Sequence, residues 1–408
     1  MGRTVLISGA SVAGPVLAYW LSRLGFTPTV VERTPRVRLG TGGHAVDLFG
    51  PAVEVVDRMG LLDPVEAART RTDEIRIVRA GGRYTDVRMA DLVAGLTEDR
   101  HVEIMRGELA GILHGAVRDD VEHLFGDAIH TLDQDPDGVD VTFEHGPPRR
   151  FDLVVGADGL HSGVRGLAFG AESRFSRFLG GYLAAFTLPG ADLEPGRMLL
   201  HNAVDRLAGL YPVWQTGEAR AVFLFRAGPD VAPDHRDVEA QRWLLRRVFA
   251  TDGWEVPRLL DAADHAADFY LDSISQIRMD SWTRGRVTLV GDAGYSPGPA
   301  VGGGTTIAAV GAYVLAHQLA AHPDDHAAGL RGYEDVMREL VVSSREIGPA
   351  VMKTLVPRSR AQVALTAPLT SLVTRLPAGL RRRLLAARSG PLRVLGSMAL
   401  PEVGVGAG

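Results

Sequence analysis

Residues 6–15 read LISGASVAGP, and the small residues Gly9, Ser11, Val12, Ala13 and Gly14 fall where an apolar run gives way to a helix pattern. Glycine at such a turn lets backbone N–H groups close on an anion, and a helix N-terminus favours negative charge. Ser11 stands where a dinucleotide fingerprint has its middle glycine; its small side chain and hydroxyl still let a phosphate oxygen approach. Glu32 lies 23 residues after Gly9, where an acid can accept from a ribose hydroxyl. Taken alone, this pattern leaves a ligand-free β-α-β unit as open as a nucleotide site.

Three more stretches carry the same kind of chemistry. FDLVVGADGLHSGVR, residues 151–165, places Asp158 and Gly159 after an apolar run. RVTLVGDA, residues 286–293, places Gly291 and Asp292 after another. Pro299 and the glycines Gly302, Gly303 and Gly304 then precede a helix pattern that runs to about Ala321.

These residues need elements to hold them. Val5, Leu6 and Ile7 form the short apolar run of a buried parallel strand. Ala13, Val16, Leu17, Trp20, Leu21 and Leu24 recur at helical spacing, Gly25 stops the helix, and Thr29–Val31 give a second strand. Phe151–Val155 is a third. Between about 171 and 280 the texture changes to alternating runs such as GYLAAFTL and AVFLFRA, which predict antiparallel strands, with a helix over Val238–Phe249. Residues 72–94 are expected to add strands to that sheet. From about residue 325 the pattern is helical, and 357–393 interleave arginine with leucine, which suits an amphipathic helix packed across both domains, with a helix for an anionic surface or a partner as the alternative.

Composition narrows the classes. The chain has 408 residues, enough for two domains or one large elaborated one, and its 46% hydrophobic and 23% charged content is ordinary for a globular protein. A net charge of −5 argues against a nucleic-acid binder. There is no cysteine, which excludes disulfides, thiol nucleophiles and zinc-thiolate sites. No metal motif is found. No apolar stretch is long enough to span a bilayer. The first strand begins almost at Met1, leaving no room for a leader, so a cytoplasmic protein is expected.

The order GxSxxG, Glu32, Asp158-Gly159, Gly291-Asp292 and a Pro/Gly-rich helix start, each at a strand end, resembles the FAD-dependent class A monooxygenases. Para-hydroxybenzoate hydroxylase and the tetracycline-inactivating monooxygenases are of this type. The resemblance covers about residues 1–345. It implies an α/β fold: a Rossmann-like FAD-binding domain (1–71, 95–170 and 281–335), an inserted antiparallel-sheet substrate domain (72–94 and 171–280) and a C-terminal helical segment (336–408). It implies that FAD lies on Gly9, Ser11, Val12, Ala13 and Gly14, with Glu32 on the adenosine ribose. Arg33 beside it could suggest a 2′-phosphate, but in the family a basic residue here lies near the adenine. Gly43 and Asp47, in GGHAVDL, match a flavin-holding segment, and Arg106 matches an arginine reaching the phosphate and ribose region. Asp158 is implied to contact FAD, and Asp292 to accept from the ribityl chain. The helix after Gly302–Gly304 would present bare amides to the negative charge of reduced flavin. Two departures from the family occur there: Thr306 replaces the usual Asn, and Gly311 the usual Asp.

Candidates for the substrate pocket are His44, Phe186, Tyr211, Trp214, Phe223, Phe225 and Tyr295, with core packing the alternative for the sheet aromatics, because neighbours along a strand face opposite ways. The resemblance implies a monooxygenase in which NADPH or NADH transiently reduces FAD and O2 adds at C4a to give a hydroperoxide. That species would insert one oxygen into a small hydrophobic, aromatic or polyketide-like substrate, by hydroxylation or Baeyer–Villiger chemistry. No catalytic acid or base is assigned. The chain is expected to be a monomer or homodimer. An FAD oxidoreductase without oxygen insertion, and a non-catalytic small-molecule binder on the same fold, are the competing readings. A halogenase would need a lysine near the flavin, and the only lysine, Lys353, sits in the C-terminal helices.

Overall fold

A computed structural model describes residues 2–37, 44–79, 82–93, 100–231, 233, 234, 236–299, 303–346, 349, 352, 353, 355–377, 379, 380 and 400. Its centre is a six-stranded sheet in the order Thr283–Arg284, Val287–Leu289, Leu153–Gly156, Thr4–Ser8, Thr27–Glu32 and Glu122–Phe125. All pairs are parallel except the edge pair of Thr283–Arg284 with Val287–Leu289. Val5, Leu6, Ile7, Val30, Val154 and Val155 are at most 1% exposed, as strands covered on both faces must be. The helices Ala13–Arg23 and Gly304–Ala321 pack on each other, with the Trp20 ring edge-on to Tyr313 at 5.1 Å.

The alternating runs form a seven-stranded sheet, in the order Tyr270–Ile277, Ser176–Leu188, Glu218–Phe225, Arg206–Val213, Arg197–Ala203, Glu74–Val78 and Tyr84–Arg88. One pairing within it, Arg197–Ala203 with Glu74–Val78, is parallel. One face of this sheet is covered by the helices Val238–Phe249 and Val256–His265. Its other face looks toward a small two-stranded sheet, Ala45–Leu48 with Val102–Met105, beside the main core. A three-stranded meander over Ile129–Gln134, Val139–Phe143 and Arg149–Phe151 has no counterpart in the sequence reading. Helices His326–Ser344 and Arg360–Thr374 follow. Among the described residues no helix is long and apolar enough to cross a membrane.

Candidate active site

The carboxyl ends of the parallel strands converge on one crevice. Gly9 takes φ +110, and its N–H donates to the Val31 carbonyl at 2.8 Å. A Cβ on Gly9 would lie 2.5 Å from the Ala157 carbonyl oxygen, and one on Gly14 would run into the Gly9 carbonyl oxygen. Both positions admit only glycine. Val12 and Ala13 are buried at the start of helix Ala13–Arg23, which has no side-chain cap and no acid in its first turn. Its leading amides are therefore available to an anion.

Glu32 does more than face a ribose. One carboxylate oxygen accepts from the Ala10 amide at 2.9 Å, and the other from the Thr34 amide and hydroxyl at 2.9 Å each. Glu32 thus ties the glycine turn to the second strand, and lone pairs remain for a ligand hydroxyl. Arg33 is exposed beside it.

Arg106 opens helix Arg106–Gly115 and reaches back to Ser11, its Nε donating to Oγ at 3.2 Å. Its charge also acts on Asp292, whose carboxyl burial pushes up while Arg106 pulls it back. The Ser296 hydroxyl is the hydrogen-bond donor to that carboxyl. Gly291 takes φ +66, which favours glycine, and a Cβ there would press on the Ala308 methyl at 3.0 Å and meet that of Ala13 at 3.6 Å. Gly303 (φ +80) precedes helix Gly304–Ala321, and a Cβ on Gly304 would lie 3.7 Å from Asp292 Oδ1. Ser11, Arg106, Asp292 and Gly304 thus come from four distant stretches into one place. Pro299 lies at the edge of the described residues, and Gly43 and Gly302 lie outside them.

Two of the named aspartates have partners within the protein. The Asp47 carboxylate meets His101 Nε2 at 2.9 Å, and the His101 ring stacks on Phe49 at 5.2 Å. Asp158 accepts from the Ser162 hydroxyl at 2.5 Å and the Val164 amide at 3.1 Å, which folds the Asp158-Gly159 loop onto helix Gly163–Phe169. Both departures in the glycine-rich helix have physical occupants. The fully buried Thr306 hydroxyl accepts from the Phe49 amide at 3.0 Å and donates to the Asp47 carbonyl at 3.3 Å, tethering the segment after His44 to the helix start. Gly311 leaves the space that the Tyr295 hydroxyl fills.

Sequence reasoning passed over Arg165. Its side chain is 0% exposed and donates to the Ala293 carbonyl at 2.8 Å, the Leu160 carbonyl at 2.6 Å and Glu172 at 2.6 Å. It stitches the Asp158 loop to the turn after Gly291-Asp292. His161 bridges Glu172 (3.0 Å) and Asp272 (2.8 Å), so the same loop is bound to the antiparallel sheet. Burial opposes charge on that imidazole, but the two carboxylates carry its pKa up to about 9.

Next to the crevice lies a cavity of about 150 Å3. The sheet contributes Leu183, Met198, Tyr211, Val222 and Leu224; His44, Ala45, Thr72 and Glu103 close the other side. The His44 carbonyl accepts from the Arg106 amide at 3.4 Å, so cavity and crevice share a wall. Burial, and then the Arg106 charge, lower His44 to about 4 and leave it neutral. Burial, and then Asp47, raise Glu103.

Five pocket candidates are corrected. Phe186, Phe223 and Phe225 point to the opposite face of the sheet, into a cluster with Leu245, Phe249 and Leu259 of the covering helices. Their neighbours by one residue, Val222 and Leu224, face the cavity. Tyr295 is 0% exposed behind the parallel sheet, its hydroxyl 2.8 Å from that of Tyr333 and its ring edge-on to Trp282. Trp214 is 42% exposed, donates to the Arg69 carbonyl at 2.8 Å and carries the Arg71 guanidinium 4.1 Å over its ring, away from the cavity lining.

Fold and crevice define a dinucleotide-binding α/β protein with an antiparallel sheet laid over the ligand site. Residues 3–340 match the FAD binding domain family. The uncharacterized protein Rv1260 of Mycobacterium tuberculosis is 44% identical over 333 residues, 81% of this chain and 88% of that protein. A flavin-dependent monooxygenase of Legionella longbeachae is 36% identical over 350 residues, 84% of this chain and 87% of its own. Among solved structures, the tetracycline destructase Tet(55) superposes with a TM-score of 0.81 at 34% identity, over 98% of this chain and 99% of its own. The chain belongs to the FAD-dependent class A monooxygenases.

The residues present fit FAD. Gly9 and Gly14 leave no room for a side chain, the helices at Ala13 and Gly304 start without side-chain caps, and the Asp292 carboxyl, with Ser296 as its donor, can accept from a ligand hydroxyl.

Proposed function

We propose that the chain uses NADPH or NADH and O2 to insert one oxygen atom into a small aromatic or polyketide-like molecule seated in the cavity. The observation that carries this reading is the shared wall: His44 lines the cavity, and its carbonyl holds the amide of Arg106, which reaches Ser11 in the crevice. When bound, FAD supplies the redox chemistry, taking electrons from the nicotinamide and passing them to O2. Ser11, Arg106 and the amides from Ser11 to Ala13 would hold its diphosphate, Glu32 its adenosine ribose and Asp292 its ribityl hydroxyls. The amides leading into Gly304–Ala321 would stabilise negative charge on the reduced ring. Leu183, Val222 and Leu224 keep water from the cavity side.

The test begins with the visible spectrum of the purified protein, followed by NADPH and then NADH in air, with and without tetracycline as a first polyketide probe. Bleaching and recovery of a flavin band, together with 18O from labelled O2 in the product, is the expected result. Flavin reduction without label in any product of a substrate panel favours the oxidoreductase reading. A protein that takes up no added FAD sinks both.

A further inference from the structure

Among the described residues that line the cavity, His44 supplies a neutral imidazole and Tyr211 a hydroxyl whose hydrogen-bonding capacity is half used. Tyr211 is 4% exposed and lines the cavity. Its phenol oxygen accepts from the Ala45 amide at 3.1 Å. Its own proton has no acceptor among the described residues, although buried donors in folded proteins nearly always find one. Around it the walls are Leu183, Met198, Val222 and Leu224. The nearby carboxyl, Glu103, is engaged by the hydroxyls of Thr70 and Thr72. Antiparallel pairing of Ala45 with Met105 fixes the Ala45 amide, so the phenol oxygen is pinned from one side and its O–H is left for the cavity that Tyr211 lines.

On the reading that this cavity seats the substrate, we propose that Tyr211 is its specificity-determining donor. The class it selects is a neutral, ring-bearing, largely apolar molecule that presents one acceptor oxygen, a ketone or enolised ketone, to the Tyr211 hydroxyl. Acceptance from Ala45 makes that hydroxyl a stronger donor through cooperative polarisation. Burial carries the phenol up to about 12, so the proton is present throughout the working pH range. A site that demands a hydrogen-bond partner rejects the analogue lacking it, because the buried donor is then left unpaired.

The probes are 1-tetralone and tetralin, which share a bicyclic frame and differ by one carbonyl oxygen. Isothermal calorimetry measures the ratio of their two dissociation constants, on holoprotein and on apoprotein, so ligand preference is read separately from flavin uptake. Tyr211→Phe keeps the ring and removes the donor. It is expected to leave FAD content unchanged and to cut the preference for 1-tetralone about tenfold, the size of one buried neutral hydrogen bond. Val222→Phe, which fills the cavity, is expected to weaken both probes while keeping their ratio. A ratio that is unchanged in Tyr211→Phe would overturn the proposal, because a retained water would then satisfy the phenol. Failure of the wild type to bind either probe would overturn it too. A protein that binds no FAD but shows the tetralone preference would sink the oxygenase reading and leave the role of Tyr211 standing.

Discussion

At the head of the parallel sheet, the surfaces that shape the site are backbone: the Gly9 turn, the Gly14 contact, Gly291 and the amides leading into Gly304. Over the antiparallel sheet they are side chains: Leu183, Met198, Tyr211, Val222 and Leu224. The difference has a physical origin. An anion is held by N–H groups that point inward only when no Cβ intervenes, so Gly9 and Gly14 leave no latitude in residue type. A cavity on a pleated sheet is defined by which side chains stand on one face, and those can be exchanged without moving a strand. One site is therefore brittle and the other can be re-specified.

The largest effect should come from the brittle side. Gly14→Ala places a methyl against the Gly9 carbonyl in a packed strand–helix contact that cannot relax. We expect FAD affinity to fall by more than about a hundredfold, near 3 kcal/mol, read by flavin retention on gel filtration. Cavity variants such as Val222→Ala should retain flavin. A Gly14→Ala protein of normal yellow colour would break the distinction.

Arg165→Met is next. The guanidinium is 0% exposed and joins the Asp158 loop to Ala293. Its removal leaves Glu172 without one partner and two carbonyls without donors, which should cost about 3 kcal/mol in denaturant unfolding. A loss below about 1 kcal/mol would mean that the glycine turns hold the crevice unaided.

Asp292→Asn sharpens the contrast between holding a ligand and holding the fold. Burial raises the carboxyl in the folded protein. A raised folded-state value means that stability is fully present below the unfolded pKa, near 4, and is lost as pH rises through the folded value. The ionised carboxylate therefore weakens the apoprotein at neutral pH. Asn should raise the apoprotein Tm at pH 7, with the gain vanishing toward pH 4, while FAD affinity drops about tenfold for one charged acceptor lost. A variant that binds FAD normally would remove Asp292 from the cofactor set.

What could be read in the chain follows the same division. Gly9 and Gly291 were legible because each ends an apolar run, and Gly14 and Gly304 because each stands at the start of a helix pattern. The cavity was not, because alternation shows that Phe223 and Val222 face opposite ways but not which way is inward; that needs the helices Val238–Phe249 and Val256–His265 laid on one face. Tyr295 misled because its neighbours in sequence belong to the crevice, while its hydroxyl enters the gap at Gly311, sixteen residues on. That glycine, in place of the usual acid, was the available signal. Thr306 was a second: a hydroxyl in place of an amide still supplies one donor and one acceptor to Phe49 and Asp47. Arg165, two turns after the Asp158-Gly159 pair, could have been found only with the pairing of the two strands Leu153–Gly156 and Val287–Leu289 in hand.

The smallest predicted effect probes the seam between the two regions. His161 lies in the Asp158 loop, and its partner Asp272 stands on the antiparallel sheet, where the Tyr270 hydroxyl also meets it at 3.2 Å. Burial disfavours the imidazolium, yet hydrogen bonds to Asp272 and Glu172 raise it to about 9. The stability this contributes is fully present below the unfolded pKa of 6.5 and is lost as pH rises through about 9. Glu172 is shifted the other way: burial opposes its charge, but His161 and Arg165 lower it, so its share is lost only as pH falls through the acid range. Between pH 6.5 and 9 the wild type should therefore lose about 1 kcal/mol relative to His161→Gln, after allowance for screening by water at a side chain 28% exposed. Parallel stability curves for the two proteins would show that the bridge holds no net charge. FAD affinity measured across the same window decides whether the seam matters to the site. If affinity follows stability downward, the sheet helps to set the crevice and the two regions are one device. If affinity stays level while stability falls, the crevice is built by its own backbone, and the sheet above it is free to change its ligand.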